Sequence, residues 1–206
     1  MMSPLIRPRT TEDLRSCIEA LATVHASDRY PVDWPADPGR WLTPSDLVEA
    51  WVVVEGSDVV GHVGLSRLDA ATLEAPLARA ISTPAGPVGS ITRLFVTPQG
   101  RGCGHATRLL DVAGKKAADL GMPLVLDVSD DGHAAIALYE RAGWRRVASA
   151  RAEWLNAAGE NALLHYYVSP ETTRKPAQSE QAPSVRRQTG RAGEMHHSSG
   201  EIAPAG

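Results

Sequence analysis

Residues 91–110 read Ile-Thr-Arg-Leu-Phe-Val-Thr-Pro-Gln-Gly-Arg-Gly-Cys-Gly-His-Ala-Thr-Arg-Leu-Leu. An apolar run, predicted as a strand over 90–96, passes through a glycine-rich turn into an amphipathic helix predicted over 104–120. Glycines let consecutive backbone N–H groups turn toward one point. The helix N-terminus adds its partial positive charge. Together these make an anion site whose natural ligand is a diphosphate. A dinucleotide fold builds such a site with three spaced glycines, and Gly102-x-Gly104-x-x-Thr107 lacks the third. Asp127 ends the next predicted strand, near where a ribose-binding acid would sit. However, only two predicted helices follow the turn before Ser169, too little chain to complete a doubly wound sheet.

A different pattern accounts for more residues. Val96-x-Pro98 leads into Arg101-x-x-Gly104-x-Ala106, and the segment Ala135-Ile-Ala-Leu-Tyr139-Glu-Arg-Ala-Gly143-Trp144 follows. Gln99-x-x-Gly102-x-Gly104 also satisfies the first motif, but the spacing from Pro98 and to Leu109-Leu110 favours the Arg101 register. In this order, with a predicted buried strand over 124–128 between them, the two motifs resemble the GCN5-related N-acetyltransferase (GNAT) family, in its small single-domain bacterial form. The resemblance spans about residues 4–168 by element order and is specific over 91–144.

It implies a mixed α/β fold: a central, mostly antiparallel sheet, splayed between the parallel strands 90–96 and 124–128, with helices on both faces. Acetyl-CoA would lie in the notch as co-substrate. Its pantetheine arm would bond the edge at Leu94, Phe95 and Val96, as an added strand does. Its diphosphate would be held along Arg101, Gly102, Cys103, Gly104, His105, Ala106 and Thr107, with the His105 side chain incidental. The Phe95 or Val96 N–H would polarise the thioester carbonyl. Tyr139 would be the general acid, since a phenol of pKa ~10 can protonate a leaving thiolate of pKa ~8.5. Many members carry asparagine seven residues before this tyrosine. Here that residue is Gly132.

The general base is open at this stage, because residues 90–96 hold no carboxylate. Asp127, Asp130, His133, His62, His165 or a water relay would serve. Alternation places Arg93 in phase with Phe95, where it would face an acidic acceptor. Tyr30, Trp34 and Trp41 fall in the segment that covers the acceptor site in the family, and would wall a pocket there. The activity implied is direct transfer of acetyl from acetyl-CoA to a primary amine, with a small molecule as first choice of acceptor. A protein α-amine or lysine is the alternative. A non-catalytic acyl-CoA-binding module is another, motivated by the missing carboxylate. Homodimerisation stays open.

The elements that must position these residues are legible in outline. A strand is predicted over 4–9, and a helix after it with a threonine hydroxyl as N-cap and the apolar stripe Leu14, Ile18, Leu21, Val24. Residues 26–46 are rich in proline and predicted as loop. Strands are predicted over 50–55 and 59–68, and no regular structure over 69–89. A helix is predicted over 134–142, and strands over 144–154 and 162–168, with Gly121 and Gly143 as helix stops. Residues 169–206 hold only Val185, Met195 and Ile202 as large apolar side chains and are predicted to be a disordered tail on a domain of residues 1–168.

Composition narrows the classes. The chain has 206 residues, 43% hydrophobic, with net charge −3. That is an ordinary globular composition, not a polycation made for nucleic acid. The apolar run at 50–54 is far short of a membrane span, and the first residues lack a secretory h-region. Cys17 and Cys103 form no metal spacing. A cytoplasmic protein without metal, nucleic-acid or membrane partners is expected.

Overall fold

The computed structural model describes residues 4–73, 75–81, 86–155, 160–170 and 172. Its strands are β1 (Leu5–Pro8), β2 (Leu47–Glu55), β3 (Asp58–Leu68), β4 (Val88–Val96), β5 (Leu124–Ser129), β6 (Arg145–Leu155) and β7 (Asn161–Val168). Its helices are α1 (Leu14–Asp28), α2 (Pro38–Leu42), α3 (Ala75–Ile81), α4 (His105–Asp119) and α5 (His133–Arg141). The seven strands form one sheet in the order β1-β2-β3-β4-β5-β7-β6. Every pairing is antiparallel except β4 with β5.

That exception makes the notch. β4 and β5 pair only at Gly89 with Leu124 and Ser90 with Val125, at their N-terminal ends. A Cβ at Gly89 would sit 3.0 Å from Leu124 Cδ1 and 3.2 Å from Leu65 Cδ1, so the strands meet closely there because residue 89 has no side chain. Further along, β5 pairs with β7 instead, up to Ser129 with Leu164. The remainder of β4 therefore presents an unpaired edge toward β5.

The largest core cluster lies under the notch. It joins Val53, Val63, Leu65 and Ile91 of the sheet to Leu109, Leu110 and Ala113 of α4, and takes in Tyr139 and Trp144. A second cluster packs Cys17, Leu21 and Val24 of α1 with Leu42, Val52 and Phe95. Both helices that frame the site end as their glycines predict. Gly121 and Gly143 have φ of 65° and 81°. After α4, the N–H groups of Gly121 and Met122 donate to Ala118 and Ala117. After α5, Gly143 and Trp144 donate to Glu140 and Tyr139. These are paired Schellman bonds.

Three expectations need correction. The threonine does not cap α1. Instead the Asp13 carboxylate accepts from the Thr10 N–H (2.7 Å) and hydroxyl (2.8 Å) and pairs with Arg7. Asp13 is itself the N-cap residue of α1, and its carboxylate is held by this turn and by Arg7 without bonding the helix's own N–H groups. Residues 38–42 are helical, not loop, because Pro38 occupies the first turn, where its missing N–H costs nothing, and Asp37 accepts from the Arg40 N–H. Residues 70–72 form a 3-10 turn and 75–81 a helix, α3, that buries Leu77 and Ile81. Tertiary packing overrides the weak local signal there. Beyond Val168, the Ser169 N–H donates to Leu124 O and the Leu124 N–H donates to Thr172 Oγ1. Most of the expected tail lies outside the described residues. Among the described residues, no helix is long and apolar enough to cross a membrane, and no cluster of His, Cys, Asp and Glu is arranged to hold a metal.

Candidate active site

The turn after β4 has the anion-site geometry expected. Pro98–Gly100 form a short 3-10 turn, and Gly102 and Gly104 follow with φ of 78° and 75°. Side-chain-bearing residues adopt such angles at a cost of about 1–2 kcal/mol. Open space surrounds both positions, so backbone conformation, not crowding, calls for glycine. Among the described residues, the N–H groups of Gly102 to Thr107 make no backbone hydrogen bond, and Arg108 is the first to donate into α4, to Gly104 O. A row of free donors at the start of a 15-residue helix fits a diphosphate.

Two side chains of this turn are committed elsewhere. Arg101 pairs with Asp28 at the end of α1, and its Nε donates to Val96 O at 3.4 Å. The turn is thereby tied to α1, and its backbone is left facing a ligand. His105 corrects an expectation, since its side chain is not incidental. It is buried, and its Nε2 donates to Glu55 Oε1 at 2.8 Å, rooting the first turn of α4 on the β2–β3 hairpin. Cys103 is exposed.

β4 is distorted where the notch opens. His62 pairs with Phe95 but Gly64 with Thr92, so Arg93 and Leu94 together oppose Val63. Arg93 takes φ of 51°, and the result is a β-bulge. His62 buttresses it from beneath. Its Nε2 lies 3.1 Å from Arg9 Nη1 and its Nδ1 2.9 Å from Arg93 O. Arginine can only donate, so Nε2 accepts and Nδ1–H donates to the carbonyl. A trans peptide then directs the Leu94 N–H away from His62. Antiparallel pairing decides between the two expected carbonyl donors. Thr97 N–H donates to Val60 O, so the Phe95 pair is hydrogen-bonded to β3 and the Val96 pair is not. Val96, not Phe95, therefore turns its N–H toward the notch.

Across the notch stands Tyr139, 6% exposed. Its ring lies 6.0 Å from that of Trp144 and 6.2 Å from that of Tyr167. Tyr167 in turn donates to Glu140 at 3.0 Å. Burial pushes the Tyr139 hydroxyl well above the ordinary tyrosine range, reinforced by Tyr30 and Asp127. Tyr30 is likewise raised, to about 12, chiefly by burial, although the residue as a whole keeps 36% of its surface exposed. Asp127 is raised by the same cause. The residue is nonetheless exposed.

The expected residues thus sort themselves. Tyr139, Asp127, Tyr30 and Arg93 lie within electrostatic reach as one group, Tyr30 feeling both Arg93 and Asp127. Arg93 sits over the Trp41 ring, 4.9 Å from its centroid, and Trp41 meets Tyr30 edge-on at 6.1 Å. Trp34 instead packs on His25 at 5.3 Å. Of the proposed bases, His62 is buried under β4, and His165 is bonded to Ser149 Oγ at 2.8 Å. His133 is exposed at the start of α5, and Asp130 bonds Leu163 O through its N–H. Gly132 is also explained. A Cβ there would lie 3.0 Å from both Ser129 O and Val128 Cγ2, so a side chain such as the family's asparagine would be crowded on this backbone.

Burial holds His62 down to about 4, so it is neutral near pH 7. A histidine with a depressed native pKa stabilises the fold above its unfolded value of ~6.5 and loses that contribution as pH falls toward the native value. Protonation would also turn Nε2 into a donor facing Arg9. Asp13, held far below the usual carboxylate range by Arg7, contributes in the same direction below pH ~4. Unfolding free energy measured by denaturant is therefore expected to fall by on the order of 3 kcal/mol between pH 7 and 4. His62→Gln should flatten that slope. A wild-type stability that stays level over this range would contradict the assigned environment.

Comparison with known proteins identifies the family and agrees with the fold. Residues 14–144 match the family described as Acetyltransferase (GNAT) family. The chain belongs to the GNAT acetyltransferases. It is an acetyl-CoA-dependent enzyme of that family. No curated protein matches the sequence significantly. Among solved structures, Arabidopsis thaliana NAA60 in complex with acetyl-CoA superposes with a TM-score of 0.65 at 21% identity, covering 81% of this chain and 97% of that one. The ribosomal-protein-S18-alanine N-acetyltransferase from Escherichia coli gives 0.61 at 15% identity, covering 84% and 97%. An agmatine N-acetyltransferase mutant gives 0.56 at 16%, covering 81% and 99%. At these identities the likeness is one of fold. The GNAT sheet, splayed as expected, is what this chain shares with them.

Proposed function

We propose that this GNAT enzyme acetylates the primary amine of a small molecule by direct attack in a ternary complex, with Tyr139 as general acid and Asp127 as the base. The proposal is supported by the buried Tyr139, packed with Ile91 of β4 and Leu124 and Leu126 of β5, whose hydroxyl also feels the charges of Tyr30 and Asp127. Acetyl-CoA supplies an acyl group activated as a thioester. Asp127, directly or through one water, takes the proton from the ammonium and leaves the nitrogen lone pair free. The amine forms its bond to the carbonyl carbon, and the Val96 and Leu94 N–H groups stabilise the charge on the carbonyl oxygen. As the carbon–sulfur bond breaks, Tyr139 delivers its proton to sulfur, and the second proton of the former amine passes through water to the tyrosinate, which restores the phenol and leaves the amide neutral. A carboxylate raised toward neutral pH is a better base than an ordinary one, and burial does that for Asp127.

A small acceptor suits the Tyr30–Trp41 edge contact, which walls one side of the site with two aromatic rings. The test is initial-rate measurement of free thiol release with small amines, peptides with free N-termini and lysine peptides. Small amines are expected to give the highest kcat/KM. A peptide preferred over every small amine would overturn the acceptor class.

A further inference from the structure

Arg93 is a charged side chain without a charged partner. Among the described residues neither it nor Asp127 makes an ion pair, and the Arg93 Nε is buried with no hydrogen bond at all. An unpaired, half-buried guanidinium is costly. Arg93 also cannot swing out to water freely. The bulge fixes its backbone at φ 51°, His62 holds its carbonyl, and Trp41 lies beneath its guanidinium. A β-bulge with a left-handed arginine is a strained choice where glycine or asparagine would sit more easily.

Its neighbours sharpen the contrast. Three donors of Arg9 go to Leu42 O (2.9 Å), Thr43 Oγ1 (2.8 Å) and His62. Asp46 acts on Arg93 only at a distance. Tyr30 meets Trp41, the ring under Arg93, edge-on, and it feels the charges of both Arg93 and Asp127.

We infer that the acceptor is a zwitterion of the amino-acid type, its carboxylate resting on Arg93 while its amine enters beside Asp127. This rests on the acetyl-transfer reading of the notch given above. One free guanidinium matches one carboxylate, and a planar fork suits that group. A diamine would bring a second cation against Arg93. A phosphorylated amine would bring a second negative charge that no free cation in the group answers.

The test uses matched triplets: an amino acid, its amide and its decarboxylated amine, with aromatic, aliphatic, small, acidic and basic side chains. Acetyl-CoA is the donor. The acid of the best triplet is expected to exceed its amide and its amine in kcat/KM by at least about tenfold, the scale of one charge-assisted hydrogen bond. Arg93→Gln should bring that ratio to within about twofold, and Arg93→Lys should retain part of it. If Arg93→Gln fails to fold, Trp41→Leu, which removes the ring under the guanidinium, should lower the ratio several-fold. Amides or simple amines used as well as acids, or an Arg93→Gln enzyme that keeps the preference, would overturn the inference and leave acetyl transfer intact. No turnover of any amine, with acetyl-CoA still bound, would remove the transfer reading as well.

Discussion

Tyr139→Phe is expected to lower kcat by roughly a hundred- to a thousandfold, within the range of a lost general acid, with little change in acetyl-CoA affinity. The substitution removes one oxygen and leaves the ring between Trp144 and Tyr167. The hydroxyl has no hydrogen-bond partner among the described residues, so no buried group is orphaned and stability should change by less than about 1 kcal/mol. The pH profile separates roles further. An acid serves while it holds its proton, so raising its pKa extends activity upward. Tyr139 is raised by burial. Wild-type kcat/KM should therefore climb as Asp127 and the amine lose their protons and should show no alkaline limb below pH ~10, the unperturbed tyrosine value. A Tyr139→Phe enzyme with unchanged kcat would leave the hydroxyl a passive role.

The second large effect is expected at Gly104. It caps α4 at φ 75° with open space where a Cβ would stand. A substitution meets no clash there and acts through the backbone alone. Valine is disfavoured at such an angle by the most, alanine by less and asparagine by the least. The same residue aims the free N–H groups of the turn, so acetyl-CoA affinity should follow that order. Calorimetric titration of Gly104→Val is expected to show a Kd raised at least about tenfold, the equivalent of ~1.4 kcal/mol of strain or misdirected amides. Gly104→Asn should stay near wild type. Equal affinity across the three variants would show that the turn does not hold the diphosphate.

How much of this was legible in the sequence depended on the range of the interaction. Gly121 and Gly143 act within one helical turn, and their stops are readable from the residues alone. The two motifs around Arg101 and Tyr139 carry the sheet order with them, since a strand–turn–helix and the strand beyond it leave few arrangements. The helices at 38–42 and 75–81 were hidden for different reasons. Pro38 breaks helices in general and starts this one, because position within the helix decides the sign. The other gains its stability from Leu77 and Ile81 packing on the sheet.

Tyr139 and the glycine turn can be singled out from the sequence as candidates, whereas the candidate bases cannot be told apart there. Asp127, His62 and His165 look alike as isolated titratable residues on strands. They differ only in what the sheet sets around them: an open notch, a buried contact with Arg9 and Arg93, and a serine on β6. The pairing of Arg101 with Asp28 and of His105 with Glu55 joins residues far apart in the chain, and no local pattern announces either. The bulge at Arg93 had no signal of its own, since the residue is one that rarely takes a positive φ.

The central claim is that the notch between β4 and β5 brings acetyl-CoA and a free amine together for direct transfer. Its most direct test is the initial-velocity pattern with both substrates varied, joined to intact-mass analysis of the protein after acetyl-CoA alone. Intersecting lines and an unmodified protein are the predicted result. Parallel lines with acetyl carried on the protein, for which the exposed Cys103 thiol in the turn is the natural acceptor, would contradict it.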